Sequence, residues 1–255
     1  MRVSPLTIDR AVEKTRTWVK EGSTRFVSIA DVNTVVSAAT DKNLMKVQNS
    51  ADMTTTDGMP LVWILKQRGY KNIERVCGPE LMPAILDMAA KEGFSNYFYG
   101  CTDEVLKTVK SNLKKVFPEL KIAGSYAPPF RKLTEQENDQ IINEINKCNS
   151  QLVWVGLSTP KKEIWMYENK DKLNNCVMFG VGAAFDYIVG SIKRAPKWMQ
   201  KNGLEWLFRL FQDPRRLWKR YLITYPKFPW LLIKEYLKSR NQNRVENPGK
   251  GYRIR

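Results

Sequence analysis

Histidine is absent from all 255 residues, and that absence removes a large share of enzyme chemistry. Without imidazole there is no Ser-His-Asp or Cys-His machinery and no His-ligated metal site. Cysteine is sparse: Cys77, Cys101, Cys148 and Cys176 are scattered and none forms a C-x-x-C pair. That pattern argues against a zinc knuckle or a disulfide framework and reads as free thiols in a reducing compartment. No stretch approaches the ~18 to 20 apolar residues needed to cross a bilayer. The opening MRVSPLTIDRAVEK lacks the apolar segment of a signal peptide. There is no G-x-x-x-x-G-K-[ST] loop, so P-loop nucleotide hydrolysis is unsupported. There is no Asp-x-Asp pair either, so a nucleotide-sugar site built around a divalent metal is not indicated. No metal and no cofactor are expected. What remains is a carboxylate base, with arginine or lysine stabilising a phosphate leaving group.

Negative charge is also in short supply, with 26 Asp and Glu against 42 Lys and Arg, a net +16. The imbalance is local. From Lys193 to Arg255, 17 basic residues face 4 acidic ones, whereas residues 1–192 hold 25 and 22. A nearly neutral body carrying a basic tail suggests a polyanionic partner: nucleic acid, anionic lipid or a phosphorylated substrate. Apolar content of 43% with 11% aromatics fits a folded chain.

Within the body, short apolar runs alternate with helical patterns. RFVSIAD (25–31), NYFYG (96–100), LKIAGSY (120–126), QLVWVGL (151–157) and CVMFGVG (176–182) read as strands. Helices are expected through VVSAATDKNLMKVQN, PLVWILKQRG, PELMPAILDMAAKEG, TDEVLKTVKSNLKKVFP, TEQENDQIINEINK and TPKKEIWMYENK. Thr134 and Glu137 fit a capping box. This alternation predicts an α/β fold, Rossmann-like, with a mainly parallel sheet and helices on both faces. At about Lys193 the texture changes to a basic, aromatic-rich helical appendage, with breaks expected at Pro196, Pro214, Pro226 and Pro229. The expected division is a catalytic domain at 1–192 and an appendage at 193–255, with 241–255 mobile.

Ligands of open α/β sheets bind beyond the carboxyl ends of the strands, which directs attention to four loops. In TTTDGMP (54–60), Asp57 could be a working carboxylate. It reads equally as a turn-former and helix cap, because Asp-Gly is common turn chemistry and Pro60 suits a first helical turn. In VGLSTPKKE (155–163), Gly156 permits close backbone approach and Ser158 or Thr159 could cap the helix. Lys161 and Lys162 there would attract an anion or simply be solvated. GVGAAFD (180–186) falls short of the G-x-G-x-x-G fingerprint because Phe185 takes the third glycine's place. Asp186 could accept hydrogen bonds from a ribose or base, or serve as a helix N-terminal charge. The loop after FVSIAD contributes Asp31.

Taken together and in order, DVNTVV, TTTDGMPLVW, ERVCGPELM, VWVGLSTPKKE, GVGAAFDYIVG and RAPKWMQKNGLEWLFRLFQDPRRLWKRY resemble the WecG/TagA/CpsF glycosyltransferases, glycosyltransferase family 26. The resemblance runs from about residue 20 to 235. It implies an inverting, metal-independent transfer of a sugar from a UDP-sugar to a polyprenyl-diphosphate-linked saccharide. The setting it implies is cell-surface polysaccharide or teichoic acid synthesis, and the family's best-known donors carry N-acetylmannosamine or its uronic acid. It further implies an appendage that closes over the site and touches the membrane. Matched residue by residue, Asp57 falls on the catalytic base and Asp186 on an acid that contacts the nucleotide. Arg209 and Arg216 fall on appendage arginines that engage the diphosphate. Asp31, Thr56, Gly58, Gly156, Ser158, Lys162, Gly182 and Asp186 make up the candidate substrate-binding set. Three positions depart from the family pattern: Lys162 stands where Gln is usual, Ile29 where Thr is, and Asp31 where Asn is.

Two rival classes remain at this point. Basic residues interleaved with aromatics also suit single-stranded RNA, so a nucleic-acid-binding or RNA-modifying protein is the alternative. A non-catalytic scaffold at a membrane surface is the other. The glycosyltransferase reading expects no nucleic acid and a cytoplasmic protein held peripherally on the anionic inner face of the cell membrane. It leaves a homo-oligomer open.

Overall fold

The computed structural model describes residues 1–242, with side chains described as far as Lys234. Six strands form one parallel sheet: β1 (Arg25–Ala30), β2 (Met53–Thr56), β3 (Ser95–Gly100), β4 (Lys121–Tyr126), β5 (Leu152–Gly156) and β6 (Val177–Gly180). Their order across the sheet is β2-β1-β6-β5-β3-β4. The central strands are covered on both faces, which is why they read as unbroken apolar runs. Val27, Ile29, Phe98, Trp154 and Phe179 pack on one face with α1 (Ile8–Lys20), α5 (Gly78–Glu92) and α6 (Asp103–Val116). Phe26, Tyr97, Tyr99, Val153, Val155 and Met178 pack on the other with α7 (Glu135–Lys147) and α8 (Lys161–Asn169). The α/β fold expected from the sequence is the one observed.

The strand β2 was not expected. Its MTTT sequence looks polar, yet all four residues are buried, and β2 pairs with β1 from Val27↔Met53 to Ala30↔Thr56. Threonine is β-branched and suits a strand. Its hydroxyl can find a partner within the fold, as Thr56 Oγ1 does by donating to the Glu74 carbonyl at 2.9 Å. This strand ends at Thr56 and so carries the next residue, Asp57, to the same edge as the other loops.

Two helix expectations need correction. The helix through residues 35–49 is two helices, α2 (Val32–Thr40) and α3 (Lys42–Asn49). Asp41 between them is extended and its carboxylate accepts from the Asn43 and Leu44 N–H groups, so a capping residue divides one apolar pattern. In the appendage, α10 (Lys197–Lys201) follows Pro196 and α12 (Pro214–Gln242) opens at Pro214, but Pro226 and Pro229 lie inside α12. Each proline removes one helical hydrogen bond. The helix survives because Leu217, Tyr221, Thr224 and Phe228 form one buried face at helical spacing, and Phe228 joins a cluster with residues of α2, α3 and α4 (Met59–Gln67). The capping box of α7 is present as expected. The mobility expected for 241–255 lies, from residue 243 onward, outside the described residues.

The topology fixes where a ligand fits. The helix after β3, α6, packs on one face of the sheet, and the helix after the adjacent strand β5, α8, packs on the other. Where crossovers diverge, the strand ends leave a crevice.

Candidate active site

That crevice is a cleft of about 1570 Å³ at the carboxyl ends of the strands. Asp31 follows β1, Asp57 follows β2, Gly156 and Ser158 lie at the end of β5, and Gly182 and Asp186 follow β6; all of them line it. The appendage completes the wall with residues that include Glu205, Arg209, Arg216, Arg220 and Tyr221. Two glycines are required by geometry. Gly58 sits at φ +132°, and a Cβ on Gly156 would lie 2.5 Å from the Phe185 ring.

Asp57 is not a helix cap. The cap of α4 is Gly58, with no side-chain hydrogen bond to the helix. The Asp57 N–H is bound to the Ala30 carbonyl at 2.8 Å, which fixes the backbone while leaving the half-buried carboxylate facing the cleft. Burial, then the nearby Asp31 and Glu205 carboxylates, push its pKa up to about 7; Arg75 and Lys162 oppose them. A carboxylate with that value takes protons readily near neutrality.

Asp31 does cap a helix. Its Oδ1 accepts from the Thr34 N–H at 2.8 Å and the Thr34 hydroxyl at 2.9 Å, at the start of α2. Its Oδ2 accepts from Arg220 Nη2 at 2.6 Å, so the appendage grips the end of β1. Burial pushes this carboxyl up, but Arg220, the Thr34 N–H, Lys162 and the Thr34 hydroxyl together hold it below its usual value. Two neighbouring carboxylates thus have opposite characters, one firmly ionised and one poised.

The VGLSTPKKE segment does not cap itself as expected. The residue before α8 is Pro160, with no side-chain cap, and the Thr159 hydroxyl donates to Glu163 Oε1 at 3.1 Å. Ser158 is exposed at the cleft. Lys161 is solvated, but Lys162 is 6% exposed, with its Nζ 3.3 Å from Glu163 Oε1 on the cleft floor. Thr56 is the one member of the candidate set that does not reach the cleft, because its hydroxyl is engaged with Glu74.

Arg209 and Arg216 come together by a route that helical spacing did not describe. Arg209 belongs to α11 (Glu205–Gln212), Arg216 belongs to α12, and the non-helical Asp213 separates the two helices. Both nevertheless line the cleft and both act on Asp186. Burial raises the Asp186 pKa, and the two guanidiniums counter it. Asp186 also stands in the first turn of α9 (Ala184–Val189).

One polar group beside the cleft was not anticipated from the sequence. Arg75 donates to Glu80 at 2.9 Å and Gln200 at 2.9 Å and pairs with Glu205. Arg194 donates to Glu80 and Gln200, each at 2.8 Å, and lies 3.4 Å from Glu205. This clasp ties the appendage to the body beside Asp57. Arg75 and Glu80 stood in plain view in ERVCGPELM, but their appendage partners Arg194, Gln200 and Glu205 lie more than a hundred residues away and no local pattern links them. Among the described residues, no group of three or more His, Cys, Asp or Glu is placed to hold a metal ion.

The model of the glycosyl transferase WecG/TagA/CpsF family matches residues 1–242. Among curated proteins, the chain is 28% identical over 209 residues to the N-acetylglucosaminyldiphosphoundecaprenol N-acetyl-beta-D-mannosaminyltransferase of Bacillus subtilis (strain 168), covering 82% of this chain and 79% of the relative. It is 27% identical over 218 residues to the protein of the same name from Bacillus spizizenii, covering 86% of this chain and 82% of that one.

Proposed function

The chain belongs to the WecG/TagA/CpsF family and is a glycosyltransferase, and on that premise we propose that it moves an N-acetylmannosamine-like hexose from a UDP-sugar to a polyprenyl-diphosphate-linked saccharide. The two relatives are named for transfer onto N-acetylglucosaminyldiphosphoundecaprenol, which supports the acceptor class. The observation that carries the mechanism is the pairing of a poised Asp57 with Arg209 and Arg216 in one cleft.

In a single displacement, the acceptor hydroxyl oxygen attacks the anomeric carbon while its proton passes to Asp57. The bond from that carbon to the UDP oxygen breaks, and UDP leaves with the electron pair, so the configuration inverts. UDP is a good leaving group that needs charge stabilisation more than protonation. Arg209 and Arg216 supply it, since guanidinium stays charged and binds phosphate through a planar fork. Removing one such contact costs about 2 to 4 kcal/mol at the transition state. No divalent metal is needed in this scheme. The body, 1–192, holds the donor, and the appendage, 193–255, closes over it. Asp186 receives the nucleoside, and Lys162 and Asp31 face the donor sugar.

The same appendage meets the membrane. Trp218, Leu222, Ile223, Trp230 and Ile233 are all exposed, with Trp230 and Leu222 each 66% open. They share the side of α12 opposite its buried face. A helix that is apolar on both sides has a second apolar medium to meet, and interfacial tryptophan with neighbouring Lys and Arg suits an anionic bilayer surface. No helix among the described residues is long and apolar enough to span the membrane. Membership of a glycosyltransferase family removes the reason for the nucleic-acid and scaffold readings.

The test is Asp57→Asn, assayed by UDP release from UDP-N-acetylmannosamine with a prenyl-diphosphate-linked N-acetylglucosamine acceptor. Turnover should fall at least about a hundredfold, with UDP binding retained in a thermal-shift titration. Near-normal turnover at saturating acceptor would remove Asp57 from the role of base.

A further inference from the structure

Arg209 is a half-buried guanidinium in the cleft wall. Among the described residues no carboxylate forms an ion pair with it; Asp57, Glu205 and Asp186 act on it from farther away. Its neighbours Arg194, Arg216 and Arg220 each have an acid within 3.4 Å. What Arg209 has instead is an aromatic face: its Cζ lies 5.8 Å from the centroid of the Tyr187 ring. Arg194 lies 5.6 Å from the same centroid, and Arg194 is anchored by Glu80, Gln200 and Glu205. Tyr187 itself is on α9, next to Asp186, and lines the cleft.

We propose that Tyr187 is a positioning residue that holds Arg209 ready for the diphosphate while leaving its N–H donors unengaged. This rests on the reading of Arg209 as a diphosphate ligand. A carboxylate could hold the arginine in place, but it would occupy the fork and cancel the charge. An aromatic ring attracts the cation through its quadrupole and takes no hydrogen bond. The guanidinium therefore waits charged and with its N–H donors free of any protein acceptor among the described residues, in a site partly shielded from water, where an anion can take them. The bracing also links two events. Tyr187 is fixed to the body through α9, and both of its cations come from the appendage, so the ring sets where Arg209 stands when the appendage is closed. Among the described residues the Tyr187 hydroxyl has no hydrogen-bond partner, so the ring rather than the hydroxyl performs this role.

The experiment measures UDP affinity by calorimetry for the full chain carrying Tyr187→Phe, Tyr187→Leu, Arg209→Ala, and Tyr187→Leu with Arg209→Ala. Tyr187→Phe keeps the ring and should bind UDP within about twofold of the parent. Tyr187→Leu keeps bulk but loses the quadrupole and should bind between about five- and thirtyfold more weakly, the range of a desolvated cation–π contact. Adding Tyr187→Leu to Arg209→Ala should weaken binding no further, because the residue it positions is gone. Thermal melts accompany each variant, and a structural loss would appear there and multiply with Arg209→Ala. The proposal is overturned if Tyr187→Leu binds UDP like the parent, if Tyr187→Phe fails to rescue, or if the two losses multiply. If Arg209→Ala itself leaves UDP affinity unchanged, the diphosphate role of Arg209 falls first and the positioning role with it.

Discussion

The pH profile of turnover tests the most specific electrostatic feature of the cleft. Asp57 has its pKa pushed to about 7 by burial and by the Asp31 and Glu205 carboxylates. A base with that value is about one-tenth ionised at pH 6 and about nine-tenths ionised at pH 8, so kcat/KM should rise about tenfold across that interval. An ordinary aspartate, at about 3.9, would be ionised throughout and give a flat profile. Glu205→Gln removes one of the carboxylates that disfavour the Asp57 anion and should move the rising limb to lower pH. Lys162→Met removes a cation that favours the anion and should move it to higher pH. Glu205 also belongs to the clasp with Arg75 and Arg194, so its loss changes the height of the profile as well, and the position of the limb is the readout. The same shift has a stability consequence. The folded pKa lies above the unfolded value, so the native state binds the proton more tightly than the unfolded chain does. Stability from this group is therefore lost as pH rises from about 4 to about 7. Asp57→Asn deletes that loss and should raise the melting temperature relative to the parent more at pH 8 than at pH 5. The assay is UDP release at constant ionic strength from pH 5.5 to 8.5, with parallel melts. A flat profile between pH 6 and 8, or a Glu205→Gln limb that moves to higher pH, would refute the reasoning.

Three further outcomes follow from the same site. Turnover should be unaffected by EDTA, since arginines carry the leaving-group charge; loss in chelator restored by magnesium or manganese would show that a metal is needed. Arg216→Ala should depress turnover with a soluble, short-chain acceptor, because the lost contact is to the reacting diphosphate; an unchanged rate accompanied by weaker vesicle binding would assign Arg216 to the membrane alone. Replacing Trp218, Leu222 and Trp230 together by serine should weaken co-sedimentation with anionic vesicles, while the melting temperature holds because all three are exposed; undiminished binding would show that this face does not touch lipid.

Much of the architecture was legible along the chain. The runs RFVSIAD, QLVWVGL and CVMFGVG are apolar because strands covered on both faces must be, and some of the helices carry their own caps, as Thr134 and Glu137 do in α7. Those are local rules, and a local reading finds them. Asp57 and Asp186 could be singled out the same way, because the loops that follow parallel strands meet at one edge of the sheet; Arg209 and Arg216, on appendage helices, were reached only through the resemblance to the family. Their states could not. Whether Asp57 caps a helix or stands free depends on Gly58 taking the cap position at φ +132°, and its pKa depends on Asp31 and Glu205, brought near it from distant parts of the chain. MTTT became a strand because β1 offered it hydrogen bonds and burial, which propensity alone does not supply. Pro226 and Pro229 failed to end α12 because the buried face from Leu217 to Phe228 outweighs the bonds they remove. The sequence by itself determined most of the elements and the chemical types available. Only tertiary structure decided which charges oppose one another, because desolvation and Coulomb interaction depend on distance in space and not on separation along the chain.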